Sequence, residues 1–190
     1  MRVVLLGAPG SGKGTQGEAL AQHFGVRHVS TGDLLRAHID EGTEIGRAAE
    51  PYTKRGELVP DDVMLQIAGT AVIDAAAEGG YVLDGFPRTL SQAEQAYEGA
   101  DRAGVTADAV VYLDVPDEVV RERLAARAAA GRVDDADSAV IERRLQVFHD
   151  QTGPLLDFYR DRGILVTVDA TPPPDEVTDA MLKAVEPLRS

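Results

Sequence analysis

Short apolar runs alternate along the chain with longer stretches of helical periodicity. The apolar runs lie at residues 3–6, 27–29, 81–83, 109–113 and 164–168. The helical stretches lie at residues 16–24, 31–42, 43–54, 61–77, 89–103, 117–129, 138–161 and 174–187. This alternation predicts an α/β fold in which helices cover both faces of a parallel sheet.

Polar and proline residues mark where several of these helices should begin or end. The stretch 31–33 (Thr-Gly-Asp) offers an N-cap followed by an early acid, and Pro60 and Pro116 each precede two acids. Pro51 should kink or end its helix, because proline lacks the N–H that a helix interior needs.

A glycine-rich stretch, Gly7-Ala-Pro-Gly-Ser-Gly-Lys-Gly-Thr15, joins the first predicted strand to the first predicted helix. Glycines let the backbone turn tightly, so that successive N–H groups point at one anion, and the helix N-terminus adds partial positive charge. The spacing of Gly7, Gly12 and Lys13 matches a Walker A loop, except that Gly14 stands where Ser or Thr usually follows the lysine. We therefore predict a phosphate cradle in which Lys13 reaches the outer phosphates, and Thr15 or the Gly14 backbone takes part of the missing hydroxyl's role.

Composition narrows the range of partners. The 190 residues carry a formal net charge of −13, so nucleic acid and anionic membranes should repel the chain. No apolar run approaches the ~20 residues of a membrane helix, and the N-terminus enters a predicted strand at once, so we expect a cytoplasmic protein without a signal peptide. The absence of cysteine excludes thiolate metal sites, and the four histidines lack ligand spacing, so each should be solvated or partly buried.

A second predicted strand also ends in residues that suit a functional site. Asp84 follows the run at 81–83, and open parallel sheets bind ligands beyond the carboxyl ends of their strands. An acid at this place can hold the waters of a magnesium ion, or it can cap a turn. Arg88 follows Gly85 and Pro87, so its backbone should be held in a turn that suits an arginine aimed at phosphate.

Arginines gather around the small, polar and flexible segment 126–136. They are Arg121, Arg123, Arg127, Arg132, Arg143 and Arg144. Arg123 and Arg127 are one helical turn apart, and like charges on one face destabilise a helix unless an anion lies opposite. Pairing with nearby glutamates accounts for Arg121 and is an alternative for Arg143, and for the others we predict an anionic ligand.

These motifs resemble the adenylate kinase family over essentially the whole chain. The matching segments are the glycine loop 7–15, Ser30-Thr-Gly-Asp-Leu-Leu-Arg36, Gly56-Glu-Leu-Val-Pro-Asp-Asp62, Asp84-Gly-Phe-Pro-Arg88 with Gln92, and the arginine set ending at Arg144. The glycine after the lysine is itself this family's form of the loop. The resemblance implies a P-loop core at 1–29, 60–125 and 137–190, a nucleoside-monophosphate-binding lobe at 30–59 and a lid at 126–136.

The resemblance also implies an activity and a set of site residues. The reaction is reversible, magnesium-dependent transfer of a phosphoryl group from ATP to AMP, giving two ADP. Residues implied to face ATP are Gly10, Ser11, Gly12, Lys13, Gly14, Thr15, Arg127 and, against the adenine, Pro172. Residues implied to face AMP are Thr31, Arg36, Glu57, Leu58, Val59, Gly85, Phe86, Pro87, Arg88, Gln92, Arg132 and Arg144. Residues implied to act at the transferring phosphates are Lys13, Arg88, Arg123, Arg132 and Arg144.

Cofactor and partner expectations follow the same resemblance. Asp84 is expected to hold Mg²⁺ through water. The predicted lid has about a dozen residues and no cysteine, so it resembles the family's short-lid form, and no zinc is expected. The expected partners are ATP and AMP, or ADP in reverse, bound to a monomer.

Two alternatives share part of this pattern. A uridylate or cytidylate kinase of the same fold would share most motifs, but Thr31 and Gln92 follow the adenylate form where pyrimidine kinases tend to carry Ala and Asn. A non-catalytic nucleotide-binding regulator would have no need for Lys13, Asp84, Arg88 and the lid arginines together. A GTPase switch is excluded, because its guanine-reading Asn-Lys-x-Asp motif requires asparagine and the chain contains none.

Overall fold

A computed structural model describes residues 1–131 and 137–188. Within these ranges the strands are β1 (Arg2–Gly7), β2 (Arg27–Ser30), β3 (Tyr81–Asp84), β4 (Ala109–Asp114) and β5 (Leu165–Asp169). The helices are α1 (Lys13–Phe24), α2 (Thr31–Asp40), α3 (Glu44–Lys54), α4 (Asp61–Ala77), α5 (Leu90–Ala103), α6 (Asp117–Ala129), α7 (Ser138–Asp161) and α8 (Pro174–Val185), followed by a short 3-10 helix, Glu186–Leu188. None of the helices described in these ranges combines the length and apolar character needed to cross a bilayer.

The five strands form one parallel sheet in the order β2-β3-β1-β4-β5. The register places Asp84 beside Leu5 of β1 on one side and beside Ser30 of β2 on the other. The carboxyl ends of β1, β2 and β3 therefore meet at one edge of the sheet. The predicted α/β fold with a parallel sheet is confirmed.

Helices cover both faces of the sheet, as predicted, because alternate side chains of the central strand are buried on opposite sides. Val3 and Leu5 of β1 pack against α1, α6, α8 and the first half of α7. Val4 and Leu6 pack against α2 to α5 and the second half of α7. All four are at most 5% exposed, and each such side chain contributes ~1.5–3 kcal/mol by leaving water. The buried sheet is the rigid base on which the loops at its carboxyl edge are held.

Helix α1 begins at Lys13, three residues before the predicted start at residue 16. Gly12 precedes it in a left-handed conformation, with φ of 101°. The first turn of α1 therefore contains Lys13, Gly14 and Thr15, whose N–H groups have no acceptor within the helix. The glycine loop and the helix N-terminus form one continuous set of backbone donors.

The predicted N-cap of α2 is wrong. The cap is Ser30, whose Oγ accepts a hydrogen bond from the Asp33 N–H at 3.4 Å, and Thr31 already lies within the helix. Ser30 is the last residue of β2 and has extended backbone angles, which suit an N-cap. The Thr31 hydroxyl instead donates to the Asp84 carbonyl of β3 at 3.0 Å.

Pro51 was predicted to kink or to end its helix. The prediction that the helix ends there is wrong, because α3 continues through Pro51 to Lys54. Packing against α2 supports the part of the helix that precedes the proline. Ala49 is fully buried, and Gly46 lies so close to α2 that a Cβ there would be 2.0 Å from the His38 carbonyl oxygen. These contacts offset the cost of an interior proline, ~3 kcal/mol.

Candidate active site

The carboxyl edge of the sheet opens into a cleft of about 950 Å³, which adjoins a smaller cavity of about 100 Å³. The predicted residues that line the large cleft are Gly10, Ser11, Gly12, Lys13, Gly14, Thr15, Arg36, Leu58, Asp84, Gly85, Pro87, Arg88, Arg123, Arg127, Arg144 and Pro172. The small cavity adds Thr31, Glu57, Val59 and Gln92, and shares Arg36, Leu58, Gly85, Arg88 and Arg144 with the cleft. The side chain of Phe86 packs in the core instead, and Arg132 lies outside the described residues.

Close packing beneath the glycine loop fixes its shape. Ser11 is 1% exposed, and its Oγ has no hydrogen-bond partner among the described residues. A Cβ at Gly7, where φ is 152°, would come within 2.6 Å of that oxygen. Gly10, where φ is 79°, packs against Leu124 of α6. The loop therefore needs glycine at both positions.

Lys13 folds back over the glycine loop. Its Nζ donates to the carbonyl oxygens of Gly7 at 2.7 Å and Ala8 at 2.8 Å. Burial lowers the pKa of Lys13 to about 8; Asp84 raises it, whereas the positive charges of the cleft arginines lower it further. The charged form of Lys13 is therefore less stable here than in water, and an additional anion would stabilise it. The cleft is electrostatically suited to an anion.

Arg88 is held at the junction of the cleft and the small cavity. Its Nε donates to the Gly85 carbonyl at 2.7 Å, and its backbone N–H donates to Gln92 Oε1 at 2.8 Å. The side chain faces the open cleft, but the protein around it lowers the pKa of Arg88, chiefly by burial and then through the positive charge of Arg144. The predicted turn before Arg88 contains Gly85, with φ of 82°, and a cis peptide bond before Pro87.

The other arginines divide into two groups. Arg127 and Arg144 line the cleft, and Arg123 bridges two loops, because its guanidinium donates to the carbonyls of Ala170 at 2.9 Å, Thr171 at 3.3 Å and Ser11 at 3.4 Å. Arg121 turns away to Glu142, which it contacts at 2.7 and 3.0 Å, so its predicted pairing with a glutamate is confirmed. A role for Arg123 at the phosphates stays a prediction.

Asp84 lies on the floor of the cleft with a partner that was not predicted from the sequence. Its Oδ2 is 2.9 Å from His28 Nε2, and His28 is partly buried, as expected of each histidine. Gly17 of α1 makes room, because a Cβ there would lie 2.4 Å from the imidazole nitrogen. Ser30 pairs with Asp84 in the sheet, so the two side chains lie on the same face. His28 precedes Ser30 by two residues and therefore lies on that face as well. No local sequence signal reveals this contact, because it depends on the pairing of β2 with β3.

The small cavity combines apolar walls with hydrogen bonds that are already formed. Leu35, Val59 and Met64 line it and are at most 8% exposed. Gln92 is 1% exposed, and its Nε2 donates to Asp61 Oδ1 at 2.7 Å. Asp61 was not singled out from the sequence, although its place in the first turn of α4, beside the predicted lobe, was visible.

A glycine loop that runs into a helix N-terminus, at the carboxyl edge of a parallel sheet, defines a P-loop nucleotide-binding protein. A family model described as adenylate kinase matches residues 5–164. The chain therefore belongs to the adenylate kinase family.

Curated relatives resemble the chain over nearly its full length. Adenylate kinase of Thermobifida fusca (strain YX) is 44% identical over 186 residues, which cover 98% of each chain. Adenylate kinase of Stenotrophomonas maltophilia (strain R551-3) is 44% identical over 187 residues, covering 98% of this chain and all of the relative. Adenylate kinase of Streptomyces coelicolor is 39% identical over an alignment 214 residues long, which covers 98% of this chain and 99% of the relative. The predicted family is confirmed.

Proposed function

We propose that this protein catalyses the reversible transfer of the terminal phosphoryl group of ATP to AMP, giving two ADP. A phosphate oxygen of AMP bonds to the γ-phosphorus while the bond from that phosphorus to the β,γ-bridging oxygen breaks. The proposal rests chiefly on four cations: Arg88 and Arg144 line both the large cleft and the small cavity, and Lys13 and Arg127 line the cleft close enough for the charges of all three arginines to lower the pKa of Lys13. This junction of the two cavities suits two nucleotides bound with their phosphates toward each other.

The large cleft is the proposed ATP site. The backbone N–H groups of residues 10–15 bind the phosphates, Lys13 and Arg127 neutralise their charge, and Pro172 lies against the adenine. The first turn of α1 supports this assignment, because its donors are free of helical partners and its dipole is positive at that end. Ordered donors that need no reorganisation stabilise charge more effectively than water does.

The small cavity and its rim are the proposed AMP site. The apolar walls and Gln92 would receive the base beside Thr31 and the backbone of residues 57–59. The stretch 85–88 and Arg36 would contact the rest of the nucleotide. The size of the cavity and its enclosed polar groups support a planar base bound by directional hydrogen bonds.

Catalysis in this proposal is positioning and charge stabilisation. Charge on the transferring group spreads over its oxygens, and Lys13, Arg88, Arg123, Arg132 and Arg144 are proposed to meet it. The lobe at 30–59 and the lid at 126–136 are proposed to close over the nucleotides, which would exclude water and prevent hydrolysis of ATP.

Magnesium is part of the proposal because the cleft contains the hard oxygen donors that this ion prefers. Asp84 brings a carboxylate to the cleft floor, and Thr15 brings a hydroxyl to the first turn of α1. Both are proposed to hold the ion, Asp84 through water. When bound, magnesium would supply positive charge to the outer phosphates of ATP.

The proposed activity can be tested by following nucleotides directly. Incubation with ATP, AMP and Mg²⁺ should convert one AMP and one ATP into two ADP, measured by phosphorus NMR, and omission of any component should stop it. Zinc-selective chelation at saturating magnesium should have no effect, and the purified protein should lack stoichiometric zinc. Hydrolysis of ATP without consumption of AMP would contradict the proposal.

The proposal also covers where the protein is found in the cell and how many chains it contains. We propose that the protein is a cytoplasmic monomer. We also propose that it does not bind nucleic acid, because its net charge of −13 would repel the phosphate backbone. Light scattering after gel filtration should give the mass of one chain, 20.2 kDa. A dimer mass that persists on dilution would contradict this part.

A further inference from the structure

The amide of Gln92 lies between two partners of opposite character. The Asp61 carboxylate, which can only accept, receives a hydrogen bond from Gln92 Nε2 at 2.7 Å. The Arg88 backbone N–H, which can only donate, reaches Gln92 Oε1 at 2.8 Å. The nitrogen and oxygen ends of the amide are therefore assigned by the chemistry of their neighbours.

Both the side chain and the backbone of Gln92 are fixed. The residue is 1% exposed, and its N–H donates to the Oγ1 of Thr89, the N-cap of α5, at 3.2 Å. If the amide rotated by half a turn, its oxygen would face the Asp61 carboxylate and its NH₂ would face the Arg88 N–H. Because the Gln92 side chain is buried, solvent would relieve these repulsions poorly.

We propose that Asp61 determines base selectivity by locking the Gln92 amide in the one orientation that matches a 6-aminopurine. The inference rests on the proposed function, in which Gln92 faces the base of AMP. In this orientation the amide keeps one N–H and one oxygen lone pair for a ligand. Adenine offers a 6-amino donor and the N1 acceptor, which pair with them.

A 6-oxopurine presents the reversed pattern. Hypoxanthine and guanine carry an acceptor at O6 and a donor at N1, so they would pair only with a rotated amide. Rotation is blocked from the Asp61 side and from the Arg88 side. The lock therefore acts against IMP and GMP. It does not act against CMP, because cytosine has the same donor and acceptor order as adenine on a smaller ring.

The variant Asp61→Asn tests the lock with little change in shape. An asparagine can rotate its own amide to suit either orientation of Gln92, so one of the two barriers to rotation disappears. The matched control is Asp62→Asn, which removes the same charge from the next residue of the same helical turn, at an exposed position. Each protein is assayed for kcat/KM with AMP, IMP and CMP as acceptors.

The expected result is a fall of roughly tenfold in the AMP-to-IMP selectivity ratio of Asp61→Asn, the equivalent of ~1.4 kcal/mol, with an unchanged AMP-to-CMP ratio. Asp62→Asn should keep both ratios. If Asp61 had only a structural role, its substitution would reduce the amount of folded protein. Such a loss lowers the activity with every acceptor equally, so it cancels from a ratio that is measured on one preparation. If Asp61→Asn does not fold, Asp61→Ala is read by the same ratios.

Two results would overturn the proposal and are distinguishable. If the unmodified protein phosphorylates AMP but Asp61→Asn retains its AMP-to-IMP ratio, the lock is wrong and the proposed function stands. If the unmodified protein does not phosphorylate AMP, the proposed function fails and the lock fails with it.

Discussion

The two ends of the site would meet their ligands in different electrical states. At the phosphate end, Lys13 and Arg88 have lowered pKa values, because burial and neighbouring positive charges disfavour their charged forms. At the base end, the Gln92 amide and the Thr31 hydroxyl are uncharged and already hydrogen-bonded, since Gln92 bonds to Asp61 and to the Arg88 backbone, and Thr31 bonds to the Asp84 carbonyl.

This difference indicates how each end would contribute. An anion entering the phosphate end relieves repulsion that the folded protein holds in its absence, so binding there should be strong and sensitive to charge. A base entering the other end meets groups that are oriented in advance, so it gains little charge stabilisation but is tested for shape and hydrogen-bond pattern. Substitutions at the two ends should differ accordingly.

Lys13→Ala should have the largest effect, because it removes a preorganised cation from the phosphate end. We expect single-turnover rates to fall at least a hundredfold, ~3 kcal/mol of transition-state stabilisation, while far-UV circular dichroism stays unchanged. Lys54→Ala is the control, since that lysine is 71% exposed and pairs with Glu50. A near-normal rate in folded Lys13→Ala would remove the Walker A assignment.

Arginine variants should separate catalysis from binding within the phosphate end. Arg144→Ala and Arg132→Ala should lower kcat by tens of fold, ~2–3 kcal/mol, with less effect on KM, because their charge is proposed to act in the transition state. Arg127→Ala should mainly raise the KM for ATP. Steady-state kinetics with both nucleotides varied would show the split, and Arg121→Ala, paired with Glu142, should behave as unmodified. A change confined to KM in Arg132→Ala would contradict its role.

Gln92→Leu should have a smaller effect, directed at the base. It removes the hydrogen bonds to adenine, at ~1–3 kcal/mol each, so AMP binding should weaken by roughly tenfold or more. The unpaired Asp61 and Arg88 N–H should lower the stability of the folded protein instead of the affinity. The AMP-to-CMP gap should narrow, because the smaller ring of CMP is expected to depend less on Gln92. Calorimetric titration measures both ligands, with exposed Gln95→Leu as control. Unchanged AMP affinity would place the base elsewhere.

Thr31→Ala should relax base choice more mildly.

The smallest expected effect is a proton taken up at the phosphate end. Lys13 has a pKa of about 8 instead of 10.5, so about half of it is neutral at pH 8 in the ligand-free protein. ATP should raise this pKa, and binding at pH 8 should take up about half a proton. Titration in two buffers with different ionisation enthalpies measures the uptake, which Lys13→Met should abolish. Equal enthalpies in both buffers would contradict it.

The same pKa has a consequence for stability. Between pH 8 and 10.5 the unfolded chain holds the Lys13 proton more firmly than the folded protein does. The contribution of Lys13 to the free energy of unfolding therefore rises with pH across this window.

The phosphate end was easier to predict from the sequence than the base end. The loop at 7–15 is contiguous, so its glycines, Lys13 and the flanking strand and helix were visible in one stretch. The contacts of the base end join residues far apart: Asp61 and Gln92 are 31 positions apart, and Thr31 and Asp84 are 53. The sequence named Gln92 and Thr31 by resemblance but could not reveal what holds them, because those contacts depend on how α2, α4 and α5 pack.

The fold errors have the same origin. The cap of α2 went to Ser30 because the register of β2 with β3 sets where the helix begins, and Pro51 lies within α3 because packing against α2 outweighs local propensity. Strand and helix order was predictable because hydrophobic periodicity is a local signal.

If the base end selects AMP while the phosphate end supplies catalysis, the choice among acceptor nucleotides should show it. Formation of ADP from ATP should be measured in a coupled assay with AMP, CMP, UMP and GMP, each over a full concentration range. We predict that kcat/KM for AMP exceeds that of every other acceptor by about a hundredfold or more. GMP and UMP mismatch two polar contacts of ~1–3 kcal/mol each, and CMP, whose pattern matches, is expected to reach Gln92 less well with its smaller ring. Equal efficiency with CMP or UMP would contradict the account and favour a uridylate or cytidylate kinase.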